Sequence, residues 1–146
     1  MIIKVCGMRD AENIREVEAL GVDWMGFIFY PRSSRYVGVK PGYLPVRCKR
    51  IGVTVNAAID EVVGLVREYG LHVVQLHGDE TPKYCRELKS LPLAPSKGEG
   101  GLKGEGHQTD VLLVKAIAVR GAEDVVAAKR FTGLVDYVLF DTRCEG

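Results

Sequence analysis

Ile2-Ile3-Lys4-Val5-Cys6-Gly7 is an apolar run that begins one residue into the chain and ends on a thiol followed by a glycine. Five further apolar runs begin near Trp24, Ile51, Val73, Val111 and Val135, and the last closes as Leu139-Phe140-Asp141. The first and last runs therefore end, in equivalent places, on a thiol and a carboxylate. Strands separated by helical patterns or loop returns call for parallel pairing with right-handed crossovers. In such sheets ligands sit at the carboxyl edge, where both groups lie. The order of elements alone fits a doubly wound sheet and a closed barrel equally.

Composition bounds the rest. With 146 residues, 47% hydrophobic and 27% charged, the chain has the make-up of a globular domain with an ample core. Twenty Lys+Arg against nineteen Asp+Glu leave a formal charge of +1, so no field gathers nucleic acid or an anionic membrane surface. The apolar runs fall far short of the ~20 residues that span a bilayer. No basic segment or cleavage site precedes the first strand, so no signal peptide is expected and the cytoplasm is the expected compartment. Cys6, Cys48, Cys85 and Cys144 form no Cys-x-x-Cys pair and stand at no ligand spacing from a His, which argues against a zinc site or a disulfide frame.

Local signals place the helices. Asp10 is a good N-cap for a helix carrying Ile14, Val17 and Leu20 on one face and closed by Gly21. Ile59, Val62, Val63 and Val66 form a second stripe that stops before Gly70, and Thr81-Pro82 caps and starts a third helix. Ala122 to Lys129 makes a short fourth. Lys40 to Lys49, with two prolines and a glycine, lacks the length for a helix between the second and third strands. Residues 92–110 are expected to be a flexible Gly-rich insertion; Lys97 to Gly106 fits neither the dinucleotide nor the Walker pattern.

Three loop ends carry candidate chemistry. A free cysteine is commonly a small buried hydrophobe, so Cys6 earns attention only from its place at a strand end. Tyr30-Pro31-Arg32-Ser33-Ser34-Arg35-Tyr36 follows the second strand; Arg35, between a serine and a tyrosine, can hold a planar carboxylate in a fork, and Arg32 is the weaker candidate. His77 has no carboxylate or nucleophile beside it in sequence and is read as a lining or packing residue rather than a base.

Taken together, Ile3-Lys4-Val5-Cys6-Gly7-Met8, Gly26-Phe27-Ile28-Phe29-Tyr30-Pro31 with Ser34-Arg35-Tyr36, Gly52-Val53-Thr54-Val55-Asn56, Gln75-Leu76-His77-Gly78-Asp79-Glu80 and Leu139-Phe140-Asp141-Thr142 resemble the phosphoribosylanthranilate isomerases of tryptophan biosynthesis. The motifs run the length of the chain in the family's order. The resemblance implies a (β/α)8 TIM barrel and an Amadori rearrangement of N-(5-phosphoribosyl)anthranilate, a phosphosugar, to an aminoketose, with no metal or organic cofactor. It implies that Cys6 is the general base, Asp141 the general acid, and Arg35 the holder of the anthranilate carboxylate; His77, from its own place at the strand end, is expected to line the substrate site. The chemistry suits these types: ring opening needs an acid at the ether oxygen, and proton loss from the neighbouring carbon needs a base. A thiol titrating near ~8.5 needs help to serve as that base, whereas a carboxyl in an enclosing cavity can keep its proton.

Three departures accompany the resemblance. The second helix is nearly absent, the Gly-rich insertion precedes strand five, and residues 1–146 supply about six of the eight strand–helix units, ending where the family continues with a Gly-rich loop, strands seven and eight and their phosphate-gripping loops. The alternative to an isomerase is therefore a non-catalytic barrel fragment that pairs with itself or a partner through open sheet edges. A related barrel acting on another phosphosugar is a weaker third, since the isomerases of histidine synthesis would place an aspartate where Cys6 stands.

Overall fold

The computed structural model describes residues 1–93 and 110–142; the expected insertion falls almost wholly outside the described residues, as does Cys144. The order of elements is β1 (Lys4–Cys6), α1 (Ala11–Ala19), β2 (Trp24–Ile28), β3 (Lys49–Thr54), α2 (Ile59–Tyr69), β4 (Val73–Leu76), α3 (Pro82–Lys89), β5 (Leu112–Ala118), α4 (Ala122–Ala127) with a 3-10 turn (Ala128–Phe131), and β6 (Tyr137–Asp141). All six strands are parallel and lie in the sheet in chain order. A doubly wound sheet reverses its strand order at a switch point, and this one does not. The sheet is the progressive arc of a (β/α)8 barrel with six of its strands present.

Curvature confirms the arc. The Trp24 and Tyr137 rings meet edge to face at 5.5 Å, although β2 and β6 stand four ladder steps apart. Flat, those strands would be separated by ~19 Å at the usual spacing of ~4.8 Å. The concave face carries a small core of Ile51, Val73 and Val114 with Trp24, Leu112 and Leu139 packed on it. The convex face carries the larger core, in which Ile14, Met25, Phe27, Val62, Val66, Leu76, Cys85, Leu88 and Leu113 lie between sheet and helices. Strands covered on both faces explain why the sequence shows continuous apolar runs rather than alternation.

The caps behave as their chemistry dictates. Asp10 accepts from the backbone N–H groups of Glu12 and Asn13, and Thr81 from that of Tyr84 ahead of Pro82. β1 is shorter than its apolar run: Ile2 and Ile3 are exposed, and Ile3 N–H is met at 2.7 Å by the Asp23 carboxylate.

No helix joins β2 to β3, and residues on three other elements hold that connection in place. Buried Glu18, one turn beyond Ile14 on α1, accepts from the Tyr43 hydroxyl and the Val46 N–H at 2.6 Å and from the Arg47 N–H at 2.5 Å. Arg50 of β3 donates to the Pro45 carbonyl at 2.7 Å, and Lys40 donates to the Glu68 carbonyl at the end of α2. Burial alone would raise the Glu18 carboxyl, but the Tyr43 hydroxyl and the two backbone donors, with the Arg47 charge, hold it below the ordinary range. Stability from this anchor is present above the unfolded glutamate pKa of ~4.3 and is lost as pH falls through the lower folded value. Glu18→Ala is expected to cost about 2–4 kcal/mol, by leaving three donors without a charged acceptor. Urea unfolding at pH 7 tests this, and an unshifted midpoint would show that the loop is held elsewhere.

Candidate functional site at the carboxyl edge

The site grows from the side chains that the pleat aims into the arc. On β1 these are Lys4 and Cys6, on β4 Gln75 with His77 just beyond its end, and on β6 Asp141. Cys6 lies in register with Gly26 of β2. A Cβ on Gly26 would stand 2.7 Å from the Cys6 sulfur, so the glycine gives the thiol its room. Of the three described thiols, all free, Cys48 and Cys85 are buried and Cys6 is partly open at the strand end. Burial pushes Cys48 up to about 11 and raises Cys85, which leaves both as packing groups.

Arg35 reaches Cys6 from the loop after β2. Its Nη1 donates to the Cys6 carbonyl at 3.3 Å, and its side chain lies over Gly7, where an added Cβ would fall 2.7 Å from Arg35 Cδ. Gly7 also holds φ +89°, a left-handed conformation that favours glycine. The Arg35 N–H donates to the Ser33 hydroxyl, and Arg9 ties down the Ser34 carbonyl. Arg32 is exposed in the same loop.

His77 and Asp141 are brought together across the arc, Nε2 to Oδ2 at 3.2 Å, by residues 64 apart in the chain. The sequence offered no carboxylate beside His77; the curl of the sheet supplies one. Behind His77 stands Gln75, its amide nitrogen 2.8 Å from His77 Nδ1, and behind Gln75 the Lys4 ammonium donates to its amide oxygen. Lys4 and Gln75 were not singled out from sequence. The available signal was a polar side chain inside an apolar strand: Gln75 is 4% exposed, a burial that demands partners. Burial lowers the Lys4 ammonium below the usual lysine range, and the nearby Cys6 side chain opposes that shift.

The enclosing cavity invoked for Asp141 is not completed by the described residues, since its side chain is 44% exposed at the open end of the arc. The loop after β4 is firmly held. Buried Glu80 accepts from the Asn56 and Gly78 N–H groups and pairs at 3.2 Å with buried Lys115, which also donates to the Gly78 carbonyl. Among the described residues no group of three His, Cys, Asp or Glu could hold a metal ion, and no helix is long and apolar enough to cross a membrane.

Fold and site define a parallel α/β barrel protein with a thiol, an arginine and a His–carboxylate pair at its carboxyl edge. The model of the family described as N-(5'-phosphoribosyl)anthranilate (PRA) isomerase matches residues 3–96, and the chain belongs to that family. It is 45% identical over its full length to the N-(5'-phosphoribosyl)anthranilate isomerase of Phocaeicola vulgatus, of which it covers 62%, and 41% identical to that of Parabacteroides distasonis, of which it covers 61%. The chain thus spans about three fifths of the length of these curated relatives. Among solved structures, the phosphoribosyl anthranilate isomerase of Thermotoga maritima superposes with a TM-score of 0.74 at 26% identity, over 99% of this chain and 63% of that one. A phosphoribosyl anthranilate isomerase in complex with reduced 1-(o-carboxyphenylamino)-1-deoxyribulose 5-phosphate gives a TM-score of 0.74 at 27% identity, over 98% of this chain and 66% of that one.

Proposed function

We propose that this chain carries the acid–base half of a phosphoribosylanthranilate isomerase site, acting on N-(5'-phosphoribosyl)anthranilate in tryptophan biosynthesis. The observation that supports this best is the sharing of one carboxyl edge by Cys6, with Arg35 above it, and Asp141, paired to His77. Asp141 gives its proton to the ribose ring oxygen as the C1–O bond breaks, and the anthranilate nitrogen lone pair forms a C1=N iminium. The Cys6 thiolate then takes the proton from C2; the released pair forms the C1–C2 double bond and returns the nitrogen to neutrality. Tautomerisation of this enolamine yields the aminoketose. Arg35 holds the anthranilate carboxylate and His77 lines the sugar side. The phosphate is gripped outside the described residues, by the seventh and eighth strand–helix units of the family barrel. The same reading places the reaction in the cytoplasm, where a free thiol persists.

The test is loss of phosphoribosylanthranilate fluorescence with this chain completed by those two units; no turnover by the folded barrel would reject the reading. In the same barrel Arg35→Lys is expected to raise KM by about tenfold with little change in kcat, because an ammonium cannot reproduce the planar fork. Unchanged affinity for a carboxylate-bearing product analogue would make Arg35 a solvated loop charge.

A further inference from the structure

Lys4 and Gln75 form a connected chain with His77 and Asp141 that crosses the arc from β1 through β4 to β6. Each link constrains the next. An ammonium donates only, so the Gln75 group facing Lys4 is its carbonyl oxygen, and the amide nitrogen must face His77. An amide nitrogen donates only, so His77 Nδ1 is the acceptor. In the neutral ring the proton then sits on Nε2, which donates to Asp141 Oδ2.

We propose that Lys4 and Gln75 are positioning residues that lock His77 in the Nε2–H tautomer, so that it orients the Asp141 carboxyl and holds the carboxylate left after proton donation. His77 keeps its proton throughout; with Nδ1 committed to Gln75 and Nε2 protonated, it has no free lone pair to act as a base. The lock has a physical reason to be buried: Gln75 is 4% exposed, so neither amide end can be satisfied by water if it turns over. The assignment for Asp141 rests on the isomerase reading above, whereas the tautomer does not.

Two arms separate those dependencies. The first needs no substrate. Histidine-labelled protein, with the His77 signals identified by His77→Gln among the three histidines, is read by magic-angle-spinning 15N NMR, which resolves tautomers in associated and monomeric samples alike. The expected wild-type result is a protonated Nε2 and a bare Nδ1. Gln75→Glu replaces the donor by an acceptor and is expected to put a proton on Nδ1. Lys4→Met frees the amide to turn and is expected to give mixed tautomers, with Lys4→Arg restoring the single form. A wild-type Nδ1–H tautomer, or one signal unchanged in both Gln75→Glu and Lys4→Met, overturns the proposal.

The second arm uses the completed barrel. Gln75→Leu, and Lys4→Met with Gln75→Leu, which leaves no orphaned charge or amide, are expected to lower kcat by about 10- to 100-fold, as for other groups that orient a reacting one. KM is expected to stay within about twofold, and the double variant to lose little more than Gln75→Leu. Full kcat in the folded double variant overturns the positioning role. The expected tautomers in a barrel without turnover would support the lock and reject the isomerase reading instead.

Discussion

Cys6→Ser is expected to cut turnover of the completed barrel by at least ~100-fold while leaving product-analogue affinity nearly unchanged, and Asp141→Asn to do the same. Serine keeps the shape that Gly26 accommodates, but its hydroxyl holds a proton far more tightly than a thiol, so on the proposed roles no base is left at the sugar carbon. Asparagine keeps a group opposite His77, but its amide N–H is far too weak an acid to transfer a proton to the ring oxygen. Because acid and base serve one reaction, the double variant should fall little below either single one. Single-turnover fluorescence decay separates chemistry from release. Near-normal decay in either variant would remove that residue from the mechanism, and a parallel loss of analogue affinity would mean that the substitution had disturbed the edge rather than the chemistry.

What was legible in the sequence is what is local. Asp10, Thr81-Pro82 and Gly70 bound their helices through contacts within a few residues, and two prolines with too short a span showed that β2 reaches β3 without a helix. The continuous apolar runs told of strands covered on both faces. Glu18 could have been found: it stands one turn from Ile14 on the buried stripe of α1, where a lone carboxylate must have donors. The sense of the sheet was not legible, because flat and curled arrangements obey the same alternation. With curvature hidden, so were its consequences. Lys4 meets Gln75 across 71 residues and His77 meets Asp141 across 64, and no pattern in a window of ordinary length joins them. That is why His77 read as a lining residue without a carboxylate near it.

A polypeptide of these 146 residues alone is expected to associate and to show little isomerase activity, whereas the same chain completed by two further strand–helix units should be soluble and active. Among the described residues β1 pairs only with β2 and β6 only with β5, so within those residues each edge keeps a row of backbone groups without a strand partner. Exposed apolar side chains accompany both rows: Ile2 and Ile3 at one end of the arc, and Tyr137, Val138 and Phe140 at the other. Unprotected edges of this kind template pairing with another chain. Two copies could close each other's arcs, which is the form the barrel-fragment alternative would take. Activity is expected to fall for a separate reason. On the proposed reading the binding energy of a remote phosphate helps drive chemistry at the reacting carbon, and its grip comes with the two further units. Completion therefore acts on both properties, by covering the edges and by gripping the phosphate. Light scattering of the two forms at equal concentration, with fluorescence turnover on the same samples, tests them together. A monodisperse monomer of the short chain with turnover equal to that of the completed barrel would show that neither the edges nor the phosphate grip matters as argued.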